Sequence, residues 1–371
     1  MSAADLDPIA GRIGRLDCVC APGDERGSRG GEGLARLAAG FGLAILAQTL
    51  VLAALPLAAA SSAPRPALAG LPYAIALLGA ALATFPASYL LDAFGRRAAF
   101  ALGASLGVAG GFLAGWAALH RQFPILCIGA LWLGLAHGFA LFYRHAAATS
   151  AAGPKGGAIV FAGGALAAVL APPALQFAGS LAGPFVDAAT LVGAGIADLA
   201  GLILAVTLPH AIAPPRKDQP PPRANSGFAV ATAAGALAWF AMTAVMAAAA
   251  PTLVGCGAAS AAVGGAIAWH LVAMYAPAAI IRFTGAQLSR WFALLGGAAL
   301  LAVGVAFFLA GGTVVSVSLS MIAAGVGWSL VNAGLMQWIY AEGAPGRWML
   351  AAHDFALLGA AMLGALIAPL I

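Results

Sequence analysis

Residues 68–119 read LAGLPYAIALLGAALATFPASYLLDAFGRRAAFALGASLGVAGGFLAGWAAL, two long apolar runs around one short charged loop. Each run matches the ~20 apolar residues that a helix needs to cross the hydrocarbon core of a bilayer. The runs are continuous and do not alternate with polar residues, which favours helices over barrel strands, the other structure that pairs its backbone groups in lipid. This stretch therefore predicts a helical hairpin that crosses a membrane twice.

The same pattern continues along the 371 residues, of which 63% are hydrophobic and 8% charged. A soluble domain carries about a quarter charged residues, so lipid must cover much of this surface. We predict an all-α, polytopic membrane protein with eleven spans, near residues 35–60, 68–91, 98–119, 124–143, 156–181, 184–208, 228–254, 258–281, 288–309, 313–338 and 348–370.

The positive charges indicate the orientation. Lys and Arg accumulate in cytoplasmic loops, and here they crowd into the N-terminal tail and every second loop, with Arg144 assigned to the loop after the fourth span. The opposite side has only Arg65 and Arg121. The N-terminus is therefore expected in the cytoplasm and the chain in a bacterial inner membrane. This arrangement explains the pI of about 9.3 without a nucleic-acid partner.

The polar stretches divide the chain into four parts. These are a flexible cytoplasmic tail (1–33), an N-terminal helical bundle (34–209), a cytoplasmic central loop (210–227) and a C-terminal helical bundle (228–371). Many secondary transporters bind their substrate between two such bundles, near the bilayer midplane. Phosphate-loop, dinucleotide-binding and zinc-hydrolase motifs are absent from the sequence, so we expect neither an enzyme nor a resident cofactor.

A short loop between the second and third spans carries a recognisable motif, Asp92-Ala93-Phe94-Gly95-Arg96-Arg97. It resembles the signature loop of the major facilitator superfamily, with Ser88 where the family has its first glycine and Ala93 where it has a basic residue. The carboxylate suits a helix N-terminus. The resemblance implies two six-helix bundles, so twelve spans are expected where eleven are readable.

Candidate metal ligands lie in the seventh and eighth spans, as Met242-x-x-x-Met246 and His270-x-x-x-Met274. Residues four apart share one face of a helix. Thioether and imidazole groups are soft or borderline ligands, and thioethers select Cu(I) over hard cations. A hairpin centred near Gly255 puts Met242 and His270 at nearly the same depth, which predicts a two-coordinate site that joins the two helices.

Ordinary packing is the alternative for these methionines, because methionine fills apolar gaps well. However, the chain has only eight methionines, and none lies between Met1 and Met242. Two of the eight form the first motif, and a third lies one helical turn from a histidine in the second. This clustering favours the metal interpretation.

The paired motifs, 28 residues apart, resemble those of CcoA-type copper importers of the major facilitator superfamily. Further similar segments are Tyr143–Ala148, Gly325–Trp328 and His353–Phe355. The resemblance implies uptake of copper as Cu(I) through Met242, Met246, His270 and Met274, in support of cbb3-type cytochrome c oxidase biogenesis, with copper chaperones as partners. The alternatives are a carrier of a small organic solute or drug, and a non-transporting membrane assembly factor.

Other polar residues give weaker indications. Cys256 at the external mouth of the two motif helices, and Cys18 and Cys20 in the tail, could bind copper as thiolates. His137 and Asp198 fall within spans, where ionisable groups are usually functional, so either could couple transport to protons or have a structural role. The amides of Asn332, Gln48 and Gln176 are expected to bridge helices.

Overall fold

The computed structural model describes residues 30–150, 153–208, 226–284 and 288–368. Within these ranges the secondary structure is helical, as predicted. The helices are α1 (Gly30–Ser62), α2 (Leu71–Leu119), α3 (Phe123–Ala148), α4 (Pro154–Ala162), α5 (Ala165–Ala182), α6 (Val186–Val206), α7 (Ser226–Gly255), α8 (Ser260–Thr284), α9 (Arg290–Ala310), α10 (Val314–Ile339) and α11 (Arg347–Ile367).

Nine helical segments in the described ranges are long and apolar enough to cross a membrane. Two of them, Pro66–Leu119 and Lys155–Val206, contain 54 and 52 residues. At ~1.5 Å per residue each has more than twice the helical length that the hydrocarbon core requires, so each is long enough to cross twice. Counting those two twice gives the eleven spans expected from the sequence, and the chain is a multi-pass membrane protein.

The bend in α2 lies at Gly95, whose φ of 79° is in the left-handed region that glycine adopts without strain. The chain reverses there, so the two arms of α2 are the second and third predicted spans. We call the side of the bundle that contains this bend the Gly95 end. The ends of α3 and α6 and the start of α11 lie at the same side, because their side chains and carbonyls contact the bend region.

Small residues bring the helices close together. A Cβ atom built on Gly134 of α3 would overlap the carbonyl oxygen of Ala76 on α2, and one on Gly138 would overlap that of Ala80. Membrane helices lack a hydrophobic force between them and associate largely through such close van der Waals packing. The glycine-rich face of α3 therefore fixes α3 against the first arm of α2.

The helices form two packed groups, α1–α6 and α7–α11, which meet where α2 contacts α11 and where α4 and α5 contact α8. The four-part division proposed from the sequence stays a prediction, since most of the tail and of the central loop lies outside the described residues.

One assignment needs correction. Arg144 is not a loop residue, because α3 continues five residues beyond the predicted span and buries it.

Candidate functional site

A cavity lies between the two groups of helices. Its walls come from α1, α2, α3 and α4 on one side and from α7, α8, α10 and α11 on the other. Centres of water-sized spheres occupy about 60 Å³ of it, which is room for a few waters or an ion. Six aromatic rings form much of the surface, those of Phe41, Tyr73, Phe161, Trp239, Tyr275 and Trp328.

Three of the four predicted metal ligands line this cavity. Met242 and Met246 contribute from α7, and Met274 contributes from α8. Met242 and Met274 are both buried, at 4% and 7% exposure. Thioethers from two helices therefore share the wall of one cavity. Packing on α10 brings α7 and α8 together, because α10 contacts each of these two helices more extensively than they contact each other.

His270, the fourth predicted ligand, is not part of the cavity wall. It lies one turn before Met274 on α8, is 1% exposed and faces α10. Its Nδ1 is 2.7 Å from the carbonyl oxygen of Met321. A carbonyl only accepts, so Nδ1 carries the proton and Nε2 keeps a free lone pair in the neutral ring. The two-coordinate pairing of Met242 with His270 stays a prediction.

The Nε2 atom of His270 is buried and has no hydrogen-bond partner among the described residues. A buried polar nitrogen without a partner is costly and calls for an explanation. Histidines that bind metals typically donate the other ring N–H to a backbone carbonyl, which fixes the tautomer and aims the lone pair at the metal. The imidazole of His270 is in that arrangement.

His137 of α3 faces the thioethers from the opposite group of helices. It lines the cavity, and its buried Nδ1 has no partner in the described part of the chain. The sequence marked His137 only as an ionisable group at membrane depth, since its relation to Met242 depends on how the two groups pack. The one signal that could have found it is a histidine in an otherwise apolar span.

A buried ion pair closes the bundle beyond the cavity, toward the Gly95 end. Arg144 Nη2 of α3 is 2.6 Å from Asp354 Oδ1 of α11, with side-chain exposures of 2% and 0%. Asp354 Oδ2 is also within hydrogen-bond distance of His145 Nε2, at 3.0 Å. His145 Nδ1 is in turn hydrogen-bonded to the Tyr340 hydroxyl, at 3.0 Å. One carboxylate thus ties α3 to α11 through two cationic or hydrogen-bonding partners.

Asn332 of α10 connects this ion pair to the cavity wall. Its Oδ1 accepts from Arg144 Nη1 at 3.4 Å and from Trp239 Nε1 at 3.3 Å, and Trp239 lines the cavity. Its Nδ2 donates to the carbonyl oxygen of Trp328, another wall residue. Asn332 therefore bridges helices, as expected, and a continuous polar chain runs from the cavity to the Arg144–Asp354 pair.

Across the described ranges, no three His, Cys, Asp or Glu side chains come close enough together to hold a metal ion. Gln48 lines the cavity, whereas Cys256 lies outside it, at the turn after α7. The predictions for Cys18 and Cys20 fall outside the described residues.

Comparison with known proteins identifies the architecture. The proton:xylose symporter XylE, bound to 6-bromo-6-deoxy-D-glucose, aligns with a TM-score of 0.68 at 15% identity, over 91% of this chain and 87% of XylE. The human organic anion transporter MFSD10 gives 0.69 at 16% identity, over 91% and 93%. The E. coli fucose:proton symporter FucP gives 0.59 at 15% identity, over 91% and 95%.

The chain has the major facilitator superfamily fold. A sequence profile described as sugar (and other) transporter also matches residues 39–143. Among curated proteins, the riboflavin transporter RfnT of Brucella anthropi is 33% identical over 250 residues, which is 61% of this chain. The chain spans 59% of the length of that relative.

The Asp92–Arg97 loop acts within this major facilitator fold as a junction of helix ends. Arg96 Nη2 donates to the carbonyl oxygen of Ala146 at 2.7 Å, and Arg97 donates two bonds to that of Leu208, at 2.8 and 3.1 Å. Both acceptors lie at helix C-termini, where unpaired carbonyls and the helix dipole favour a cation. The two arginines therefore fasten α3 and α6 to the bend in α2.

The acidic end of the same loop reaches the other half of the major facilitator fold. Asp92 Oδ2 lies 3.7 Å from Arg347 Nη1 at the start of α11, and Ser88 Oγ donates to the Arg347 carbonyl oxygen at 2.8 Å. Both ionic groups are partly exposed, so this pair contributes at most about 1 kcal/mol. The buried Arg144–Asp354 pair is the stronger closure of the Gly95 end.

Proposed function

We propose that this chain is a copper importer of the bacterial inner membrane that carries Cu(I) through the central cavity to the cytoplasm. In this proposal the N-terminus and the Gly95 end are cytoplasmic, in line with the distribution of Lys and Arg. The observation that carries it is the set of soft donors in one place, with the thioethers of Met242, Met246 and Met274 in the wall and His270 one turn behind Met274.

The donor set fits a soft monovalent ion. Thioethers bind Cu(I) in preference to Mg²⁺ or Ca²⁺, and neutral ligands avoid the cost of a carboxylate in the membrane. The unpartnered Nε2 of His270 supplies a stronger donor one turn before Met274. The size of the cavity in this structure also suits an ion better than a large solute. Copper would therefore pass from Met246 to the level of Met242 and His270, and from there to Met274.

Energy for uptake need not come from ATP. A monovalent cation that moves inward gains ~2.3 kcal/mol for each 100 mV of membrane potential. The direction of this force agrees with import. Delivery to copper chaperones and to cbb3-type oxidase assembly is the downstream role that the CcoA-type resemblance suggests. Restoration of that oxidase by extra copper, in cells that lack this protein, would agree with that role.

The test is uptake of radioactive copper by cells that make the protein, combined with Cu(I) titration of the purified protein against a competing chelator. We expect Met242→Ala, Met274→Ala and His270→Gln to lose uptake and to weaken binding, each by roughly 10–100-fold, the range seen when a metal site loses a supporting group. Met362→Ala is the matched control, because Met362 of α11 is only partly buried and lies outside the cavity wall. Normal uptake in all three ligand variants would refute the proposal.

A second candidate is a carrier of a planar, ring-containing organic solute such as a flavin. The aromatic rings of the cavity wall favour it, and so does the 33% sequence identity with a riboflavin transporter. A flavin stacks between aromatic rings, but it is larger than the cavity in this structure and would enter only after the two groups of helices separate.

Riboflavin uptake and binding by the same variants separate the two candidates. A flavin carrier would quench riboflavin fluorescence on binding, would lose this with Trp239→Ala, and would keep it with Met242→Ala and His270→Gln. A copper importer would instead lose copper uptake with Met242→Ala and His270→Gln, and it would show no saturable riboflavin binding.

A further inference from the structure

The wall of the central cavity carries no charge that could offset the charge of a cation. Among the described residues that form this wall, none is Asp, Glu, Lys or Arg. The two acids that are buried in the described part of the bundle lie elsewhere. Asp354 is paired with Arg144, and Asp198 borders a separate, smaller cavity between α1, α2, α3 and α6. A cation without a compensating group at this depth is highly unfavourable, so uncharged electron donors in the wall have to stabilise it.

Trp239 of α7 is the aromatic residue next to the methionine pair. Its side chain is buried, lines the cavity and lies three residues before Met242. Residues three apart share one face of a helix, and a helical side chain covers the turn that precedes its own Cα. The thioether of Met242 and the indole of Trp239 are therefore neighbours in the wall.

Trp239 is also the next group inward along the proposed copper route. Thr232, nearer the start of α7, contacts His353 of α11, which directly precedes the Asp354 that closes the Gly95 end. The helix α7 therefore runs outward from that end, and Trp239 lies ~4.5 Å nearer to it than Met242 does. An ion that moves inward from Met242 reaches this ring first.

The orientation of the Trp239 indole is fixed within the protein. Its Nε1 donates to Asn332 Oδ1 at 3.3 Å, and its ring centroid lies 5.0 Å from that of Trp328, with 66° between the two ring planes. Trp328 also packs against Phe161 and Tyr275. In the described part of the chain no second aromatic ring contacts Trp239. Of the two indoles in the wall, that of Trp239 therefore has the less occupied ring surface.

We propose that the indole of Trp239 binds Cu(I) through its ring face, as a further ligand that acts together with Met242. Among aromatic side chains, the face of tryptophan attracts a cation most strongly, and the attraction grows when the cation has lost its water. Cu(I) is a soft ion that suits uncharged donors, whereas Mg²⁺ and Ca²⁺ require oxygen ligands. Trp239 therefore stabilises the ion beyond Met242 and contributes to the selection against hard divalent cations. This inference rests on the proposed copper function.

The first experiment detects the contact directly. Ultraviolet resonance Raman spectra of the purified protein report the indole bands during a titration with chelator-buffered Cu(I). We expect a shift that corresponds to one of the eight tryptophans, at the Cu(I) concentration that fills the site. The shift should be absent from Trp239→Phe and present in Trp116→Phe, the same change at an exposed tryptophan of α2 outside the wall. A wild type that binds Cu(I) without a change in its indole bands overturns the proposal.

The second experiment separates ion binding from packing. The Cu(I) affinity is measured by competition with a chelator for the wild type, Trp239→Phe and Trp239→Leu, and the melting temperature of each copper-free protein reports packing. We expect the affinity to fall in that order, by about tenfold for Trp239→Leu, whether or not the melting temperature falls. Equal affinities in all three proteins overturn the role of Trp239.

Met242→Ala distinguishes failure of this inference from failure of the copper function. Weaker Cu(I) binding by Met242→Ala, together with unchanged indole bands in the copper-loaded wild type, overturns the role of Trp239 and leaves the copper function in place. Absence of saturable Cu(I) binding by the wild type overturns the copper function, and the role of Trp239 falls with it.

Discussion

Arg144 of α3 and Asp354 of α11 form an ion pair 2.6 Å long, with both side chains almost completely buried, between the two groups of helices. Removal of one partner from a buried ion pair is strongly destabilising, by about 3–5 kcal/mol, because the other charge is left without compensation. The closed state of the Gly95 end therefore depends on this pair far more than on the partly exposed pair of Asp92 and Arg347.

We expect Asp354→Asn to open the Gly95 end. A reporter cysteine in place of Met336 of α10, which packs on Gly157 of α4 across the two groups, should react with a maleimide at least several times faster in this variant. The measurement is the labelling rate in a background from which the four native cysteines have been removed.

Asp92→Asn is the control for this experiment, since it removes a charge from the exposed pair at the same end of the bundle. It should change the labelling rate much less than Asp354→Asn. Equal labelling of Met336→Cys with and without the Asp354 substitution would show that the buried pair does not hold the Gly95 end closed.

His137 gives a prediction about the copper route. Because its ring lines the same cavity as three thioethers and keeps an unpartnered nitrogen, His137→Leu should weaken Cu(I) binding by about tenfold or more. X-ray absorption of the copper-loaded protein should then show fewer nitrogen and more sulfur neighbours. His353→Leu serves as the comparison, since His353 is buried against Thr232 and lies outside the cavity wall. An unchanged affinity and spectrum for His137→Leu would remove His137 from the route.

Gly134 and Gly359 give opposite predictions for the same substitution. A Cβ on Gly134 would overlap the carbonyl oxygen of Ala76, so Gly134→Ala should push α3 away from α2 and lower the melting temperature in detergent by several degrees. Gly359 of α11 has no atom within 4 Å of its Cβ position, so Gly359→Ala should be neutral or should stabilise the helix by about 1 kcal/mol. Equal effects of the two changes would contradict the packing described for α3.

The number and the approximate limits of the spans could be predicted because the property that defines them is local. Some twenty consecutive apolar residues must leave water wherever they occur, and the Asp92–Arg97 loop marks the turn between two of these spans. The periodicity of Met242, Met246 and Met274 placed thioethers on helix faces. It did not show which face of α8 meets the cavity, so His270 was expected in the wall and lies behind it, against Met321.

Sequence alone thus determined that this chain is a multi-pass membrane protein and carries soft donors in its second half, because hydropathy and ligand chemistry belong to individual residues and their near neighbours. Only the tertiary structure decided that Arg144 pairs with Asp354, 210 residues away, and that His137 faces the methionines. Those relations depend on how helices from the two groups pack against one another, and that packing is not encoded at any single position.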